Sequence, residues 1–136
     1  MLKGNEKIIK SAYPHIWNRL KNLENNMDNT LVHIEETKRG SKTLYIVKDD
    51  KKMYFHSKYN PIREAEAIVE EYKDIEENYI VVFYGTGLGY HIDLFLKKHP
   101  NVSYYIYEPI PELLYTYLSY NSLRKLPSLN LKDMIL

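Results

Sequence analysis

Residues 79–109 have the sequence YIVVFYGTGLGYHIDLFLKKHPNVSYYIYEP, and this stretch determines how the rest of the chain is interpreted. Residues 80–83 are apolar, a run that predicts a short strand covered on both faces, as in a parallel sheet. Glycines follow at alternate positions and favour a tight turn, because glycine adopts positive φ without a steric penalty. Apolar residues spaced i, i+3, i+4 then predict a helix, and residues 104–107 predict a second strand. Strand, glycine turn, helix and strand in this order indicate a Rossmann-like βαβ unit.

The glycine turn is also the candidate ligand site. A helix amino terminus presents unpaired N–H groups and a partial positive charge, which suit an anionic or carbonyl-bearing ligand. A carboxylate at the end of the next strand can accept hydrogen bonds from a ribose diol. Glu108 follows Gly89 by 108 − 89 = 19 positions, close to the separation of about 20 in dinucleotide-binding units. The candidate nucleotide- or ligand-binding residues are Gly85, Thr86, Gly87, Leu88, Gly89, Tyr90, His91 and Glu108.

Two departures from known fingerprints leave the function of this turn open. Tyr90 stands where the dinucleotide fingerprint G-x-G-x-x-G has its third glycine. The spacing G-x-G-x-G is closer to the first motif of methyltransferases that use S-adenosylmethionine, but those usually carry an acidic residue where this sequence has Phe83. One interpretation is a small domain that binds a nucleotide or S-adenosylmethionine. The other, which we favour, is that the glycines only allow the helix to pack on the sheet.

Composition narrows the class of protein. The 136 residues suffice for one α/β domain, and 19 basic against 18 acidic residues give a net charge of +1. A charge so close to zero provides no general attraction for nucleic acid or an anionic membrane. The sequence has no cysteine, which excludes disulfides, thiolate nucleophiles and zinc–thiolate sites. It also has no apolar leader and no stretch long enough to span a bilayer, so we expect a cytoplasmic protein without membrane or nucleic-acid partners.

The sequence divides into three consecutive parts of a single α/β domain. Residues 1–30 predict a helical lead that Pro14 interrupts. Residues 31–57 predict an antiparallel β-meander, with the amino-terminal helix as the nearest cover for its apolar face. Residues 58–136 form the Rossmann-like part. Only a stub of a third parallel strand is present at the carboxyl end, so we expect an incomplete doubly wound sheet in a fragment of a longer protein.

A further helix is predicted to lead into the glycine-turn strand. Asn60 is a good N-cap and Pro61 suits the first helical position. The segment 61–79 carries seven acidic and two basic residues, which predict the solvated face of this helix. Its buried stripe is predicted from Ala65, Ile68, Val69 and Tyr72. The loop before the cap could reach the rim of the turn, and this candidate rim comprises His56, Ser57, Lys58 and Tyr59.

No catalytic residue is predicted in this chain. His91 is the only ionisable group beside the turn whose type titrates near neutrality, so it is the only candidate general base there. A lone histidine at a helix start is more often a surface or capping residue. We therefore expect no catalytic residue, no metal and no cofactor bound by the chain itself.

Several motifs taken together are similar to one protein family. The sequence HSKYNP occupies residues 56–61, followed by EA at 64–65, GTGLGYH at 85–91 and EP at 108–109. This combination resembles the N-terminal domain of motility accessory factor (Maf) proteins, the bacterial flagellin glycosyltransferases. The resemblance extends over nearly the whole chain, from the hairpin TKRGSKTLY at residues 37–45 onward.

The resemblance implies a larger protein, in which this domain precedes a central domain related to 6-hydroxymethylpterin diphosphokinase (MptE-like) proteins and a helical tail. It implies transfer of nonulosonic acids, which are sialic-like sugars, from a CMP-activated donor to Ser or Thr of flagellin. In the family this chemistry is assigned to the central domain. The chain is then expected to be a non-catalytic module whose partners are flagellin and the downstream catalytic domain. Its oligomeric state is not indicated.

Overall fold

The described part of the chain forms a mixed α/β fold with two separate sheets. The computed structural model describes residues 1–26 and 31–127. The elements in these ranges are α1 (Lys3–Ala12), α2 (Pro14–Leu20), α3 (Leu23–Asn26), β1 (Val32–Glu36), β2 (Lys42–Lys48), β3 (Lys51–Tyr54), α4 (Pro61–Glu71), β4 (Ile80–Tyr84), α5 (Tyr90–Lys98), β5 (Ser103–Tyr107), α6 (Pro111–Tyr120) and a short 3-10 helix (Leu123–Lys125).

The predicted βαβ unit is confirmed. Strands β4 and β5 are parallel and in register from Ile80 beside Ser103 to Tyr84 beside Tyr107, and α5 connects them. One face of this two-stranded sheet is buried against apolar side chains of α1, α2, α5 and α6, which together form the main hydrophobic core. The two elements that flank the glycine turn, β4 and α5, both contribute side chains to this core, and this positions the turn.

The other face of the parallel sheet is open. The side chains of Ile80, Val82 and Tyr84 are 65%, 52% and 74% exposed, respectively. Since successive side chains of a strand alternate between faces, only Val81 and Phe83 point towards the core. The prediction of a strand covered on both faces is wrong. An apolar run does not show which elements pack on each face of the strand, because those elements come from distant parts of the chain.

The β-meander is confirmed, but its predicted cover is wrong. Strands β1, β2 and β3 form an antiparallel sheet in that order. The buried Leu44 of β2 packs with Leu88 of the glycine turn and Leu113 of α6, rather than with the amino-terminal helices. Those helices instead contribute residues such as Ile9 and Leu20 to the main core.

A buried amide on α1 contributes to the attachment of the amino-terminal helices to the end of α6. Asn5 Nδ2 donates hydrogen bonds to the carbonyl oxygens of Leu118, at 2.7 Å, and Asn121, at 2.6 Å. Its Oδ1 accepts one from the N–H of Leu123 at 2.9 Å. These bonds pair backbone groups that a helix end leaves without intrahelical partners. The interruption predicted at Pro14 is also confirmed, because α2 begins at that residue.

Helix α4 begins as predicted, whereas its buried stripe is only half correct. Asn60 Oδ1 accepts a hydrogen bond from the N–H of Arg63 at 3.1 Å. Ala65 and Val69 are buried, but Ile68 and Tyr72 are 45% and 53% exposed. The reason is that α4 packs mainly on α5, which covers only one side of the stripe.

The predicted stub of a third parallel strand lies within residues 128–136, outside the described residues. In the described ranges, no helix combines the length and apolar character needed to cross a membrane.

Candidate functional site: the glycine turn

The glycine turn lies at the carboxyl ends of β4 and β5, the edge at which open α/β sheets bind ligands. Gly85, Gly87 and Gly89 have φ angles of +92°, +50° and +81°. The N–H of Gly85 donates to the carbonyl oxygen of Tyr107 at 2.7 Å, which extends the strand pairing into the turn. Gly89 is the N-cap of α5. The chain thus reverses from strand to helix over five residues.

Glu108 closes the turn from the neighbouring strand. One of its carboxylate oxygens accepts hydrogen bonds from the N–H and the hydroxyl of Thr86, at 3.0 and 3.3 Å. The other accepts one from the N–H of Ile110 at 3.2 Å. A carboxylate offers about four acceptor positions, so three bonds leave little capacity for a ribose diol. The residue predicted to bind ribose serves the protein's own backbone.

His56, in the loop between β3 and α4, also binds the turn. The N–H of Leu88 donates to His56 Nε2 at 2.8 Å, so Nε2 carries no proton and the neutral ring has its proton on Nδ1. Only 8% of the residue is exposed, and the ring of Tyr90 meets it edge-on at 5.3 Å between centroids. The sequence predicts His56 only as part of the rim of the turn. In the structure His56 binds the backbone of the turn directly.

The other three rim residues belong to the entrance of α4. Ser57 Oγ accepts hydrogen bonds from the N–H groups of Tyr59 and Asn60, both at 3.1 Å. The N–H of Ser57 donates to Glu64 Oε1 at 3.0 Å. Lys58 and Tyr59 are exposed. These contacts form a capping arrangement, and the structure does not bring Ser57, Lys58 or Tyr59 to the glycines.

Packing explains two of the three glycines. A Cβ at Gly87 would collide with the imidazole of His56, and a Cβ at Gly89 would lie 2.5 Å from Cε2 of Tyr117. At Gly85, by contrast, no atom lies within 4 Å of an added Cβ. Gly87 and Gly89 are therefore required both by their positive φ and by a close side-chain contact, whereas Gly85 is required by its positive φ alone.

A cavity of about 410 Å³ opens beside Gly85. In it, His91 Nε2 donates to the carbonyl oxygen of Gly85 at 3.2 Å, and the imidazole rings of His91 and His56 lie 6.5 Å apart. Its polar lining is formed by Thr86, His56, His91, Glu64 and Glu108, and its apolar lining includes Phe55, Ile68, Tyr84 and Ile110. The cavity combines uncharged imidazoles with two carboxylates.

The electrostatics of this cavity do not suit a phosphate. Neither Lys nor Arg is among the residues that line it, although phosphate sites normally present cations or free backbone N–H groups. The N–H groups of Thr86 and Leu88 are already bound to Glu108 and His56. Within residues 1–26 and 31–127, no group of three or more His, Cys, Asp or Glu side chains is placed to hold a metal ion.

Burial sets the protonation of the two histidines. Burial, and to a smaller extent the nearby His91, together lower the pKa of His56 to about 4. Burial also lowers the pKa of His91, although its hydrogen bond to Gly85 opposes this effect. Both rings are therefore neutral at pH 7, and for His56 the hydrogen bond from the N–H of Leu88 independently requires this.

Sequence reasoning missed one residue that supports the turn. Asn121 Nδ2 donates to the carbonyl oxygen of Leu88 at 2.9 Å and to that of Tyr117 at 3.1 Å. This side chain connects the end of α6 to the middle of the turn. An asparagine directly after a helix is a recognisable end signal, but its second partner lies 33 residues away and leaves no local pattern.

Comparison with protein families gives the identity of the domain. A model described as the glycosyltransferase Maf N-terminal domain matches residues 18–124, most of the chain. The chain belongs to this family. The resemblance seen in the motifs at residues 56–61, 85–91 and 108–109 is thereby confirmed, and the Maf N-terminal domain is a glycosyltransferase-associated module.

Other comparisons add little to the Maf assignment. No curated protein matches the chain. The crystal structure of MNMC2 from Aquifex aeolicus is similar over 97% of this chain, at 19% sequence identity and a TM-score of 0.43. The match covers 56% of the MNMC2 chain, so the Maf domain spans about half the length of that protein. A TM-score this low carries no conclusion about fold or function.

The buried His56 should make the stability of the domain depend on pH. Its folded-state pKa of about 4 lies below the ordinary value of 6.5, so the unfolded chain binds the extra proton first. The stabilisation is complete above pH ~6.5 and is lost as pH falls towards ~4, by up to roughly 3 kcal/mol at ~1.4 kcal/mol per pKa unit. Urea unfolding at a series of pH values measures this loss.

A His56→Gln variant keeps an acceptor for Leu88 but cannot take up a proton. Its free energy of unfolding should therefore fall less steeply between pH ~6.5 and ~4 than that of the parent chain. The matched control is His15→Gln, because His15 is exposed on α2, and this variant should follow the parent curve. Parallel curves for all three proteins would contradict the role assigned to His56.

Proposed function

We propose that this domain is the non-catalytic N-terminal module of a bacterial flagellin glycosyltransferase that serves motility. In this proposal the parent protein transfers a nonulosonic acid from a CMP-activated donor to Ser or Thr of flagellin. The module works in the cytoplasm, before flagellin is exported, with flagellin and the downstream catalytic domain as its partners. The observation that carries the proposal is the family match over residues 18–124.

The glycine turn supports a module without its own chemistry. The N–H groups of Thr86 and Leu88 are bound by Glu108 and His56, and side chains already fill the space next to Gly87 and Gly89. Two of the N–H groups of the turn that could meet the anionic part of a nucleotide are thereby occupied by the protein's own side chains. The turn is then best understood as a retained structural element that joins the two sheets.

The proposal is tested with the parent glycosyltransferase, flagellin and a CMP-activated nonulosonic acid. Intact-mass measurement of flagellin should show sugar additions with the parent protein and none with the isolated domain of residues 1–136. Sugar transfer by the isolated domain would overturn the non-catalytic assignment. Failure of the parent protein to modify flagellin, with transfer to another acceptor, would overturn the flagellin assignment.

The cavity beside Gly85 favours one alternative function, the binding of S-adenosylmethionine. Its two carboxylates and apolar walls suit a cationic sulfonium with an apolar surround better than a phosphate. Calorimetric titration of the domain with S-adenosylmethionine, CMP and a CMP-sugar separates the two functions. A heat of binding with S-adenosylmethionine, and none with CMP or the CMP-sugar, would support the alternative. The absence of a heat of binding at about millimolar S-adenosylmethionine would exclude it.

Replacement of Glu108 distinguishes a structural from a ligand-binding role. Glu108→Gln replaces one of two carboxylate oxygens by a donor, so a hydrogen bond from Thr86 or Ile110 is lost. We expect the free energy of unfolding without ligand to fall by about 1–2 kcal/mol, measured by urea unfolding. The control Glu66→Gln removes an exposed carboxylate of α4 and should change it by less than about 0.5 kcal/mol. If Glu108→Gln were as stable as the parent domain, Glu108 would not have the structural role, and ligand binding would be the remaining role for it.

A further inference from the structure

The outer edge of β4 carries an unusual combination of features. Within the described ranges β4 pairs with β5 alone, so its other edge presents unpaired backbone N–H and C=O groups. Exposed strand edges in native proteins are normally short, charged, bulged or covered. Here the strand is IVVFY, five residues without a charge or a proline. Such an edge is a template for another strand.

A continuous groove runs along this edge. Beside the cavity at Gly85 lies a second one of about 400 Å³, and the two share Ile68, Tyr84 and His91 in their linings. The second cavity contacts all four consecutive residues 81–84. Because consecutive side chains of a strand point to opposite faces, a cavity that contacts all of them must lie beside the backbone, along the edge of the strand.

Helix α4 forms the opposite wall of the groove. Ile68 and Tyr72, the exposed half of its apolar stripe, line the second cavity. An added strand of about five residues, roughly 17 Å long, could hydrogen-bond to β4 while alternate side chains enter the space between β4 and α4. The open face at Val82 and Tyr84 would continue across the new strand.

The charge around the groove indicates the kind of partner. The segment 61–79, which forms α4 and leads into β4, carries seven acidic and two basic residues, or 2 − 7 = −5, and Lys98 of α5 offsets one of these charges by pairing with Glu70. Glu64 lines the first cavity, and Glu71 is exposed next to Tyr72. A second copy paired edge to edge through β4 would bring two such acidic segments together, at an electrostatic cost. A segment flanked by Lys or Arg has no such cost.

We propose that the edge of β4 binds an extended apolar segment flanked by Lys or Arg, contributed by the remainder of the parent glycosyltransferase. The segment adds a parallel or antiparallel strand to the two-stranded sheet. Parallel sheets are almost always buried on both faces within larger layered structures, whereas this two-stranded sheet has one open face and an unpaired edge at β4 in the described residues. The inference rests on the proposed function in one respect, namely that a larger parent protein supplies the segment.

Hydrogen exchange in the parent protein tests this proposal. The peptide that covers residues 80–84 should exchange at least about tenfold more slowly in the intact parent than in the isolated domain. Raising the salt concentration from about 0.05 to about 0.5 M should reduce this protection, since the flanking charges are screened. Equal exchange in the two proteins would overturn the proposal.

Two matched variants locate the contact. Val82→Asp in the parent should return the exchange of residues 80–84 to the rate in the isolated domain. Val47→Asp makes the same change on β2, where Val47 is 42% exposed against 52% for Val82, and should leave the protection unchanged. Glu71→Lys alters only charge at an exposed position and should weaken the protection several-fold. Full protection in both Val82→Asp and Glu71→Lys would overturn the proposal.

The experiment also identifies other occupants. Protection in the isolated domain that rises with protein concentration would mean that a second copy occupies the edge. Protection in the isolated domain that disappears when residues 128–136 are removed would mean that the chain covers its own edge. Either result would overturn the proposal. Sugar transfer to flagellin is measured on the same parent protein. Transfer by a parent protein whose β4 edge is unprotected would overturn only the docking inference. A protected β4 edge in a parent protein that transfers no sugar to flagellin would overturn only the proposed function.

Discussion

Gly87→Ala should lower the free energy of unfolding by roughly 4 kcal/mol, a large part of the about 5–15 kcal/mol that is usual for a domain. Gly87 has φ +50°, where an L-residue costs about 1–2 kcal/mol. The new Cβ would also occupy the position of the His56 imidazole. Moving that ring leaves the buried N–H of Leu88 unpaired, at a further cost of about 1–3 kcal/mol. Urea unfolding followed by Trp17 fluorescence measures the loss.

Gly85→Ala is the matched control for this prediction. Gly85 also has a positive φ, +92°, but an added Cβ there meets no atom within 4 Å. It should therefore show only the backbone cost of about 1–2 kcal/mol. Equal losses at the two positions would mean that backbone conformation alone explains the glycines and that the contact with His56 is unimportant.

Asn5→Leu should have the second-largest effect, a loss of about 3–4 kcal/mol. The leucine side chain fills a similar volume but cannot replace the hydrogen bonds of the amide. The carbonyl oxygen of Asn121 and the N–H of Leu123 then lose their bonds to it at the buried end of α6, each at about 1–3 kcal/mol. The melting temperature should fall by roughly 10 °C.

The control for Asn5→Leu is the same substitution at Asn18. Asn18 is exposed on α2, where an exchange of this kind should change the free energy of unfolding by no more than about 0.5 kcal/mol. A small effect at both positions would show that α1 is held to α6 by apolar packing and not by the buried amide.

The fold was largely predictable because its signals are local. A proline at position 14, the Asn60 cap with Pro61, and the alternation of glycines each act within a few residues, so the sequence alone locates α2, α4 and the turn before α5. Which elements pack against one another could not be predicted in the same way. That Leu44 packs on α6, and that Val82 faces solvent, depends on segments far apart in the chain.

The candidate site illustrates the same division. The reversal at residues 85–89 and the position of Glu108 beside it follow from spacing, and both are present in the structure. The partners that close the turn do not follow from spacing, since Leu88 binds His56 across 32 residues and Asn121 across 33. A glycine pattern alone cannot distinguish a turn that binds a ligand from one filled by the protein's own side chains.

The amide of Asn5 has a consequence for synthesis of the chain. Its three partners lie 113 to 118 residues further along, so α1 cannot reach its final position until Leu123 has left the ribosome. Contacts of such long range close late and slow the folding reaction. During translation the first two helices must therefore wait with their apolar sides uncovered, and apolar surface exposed in this way is prone to aggregation.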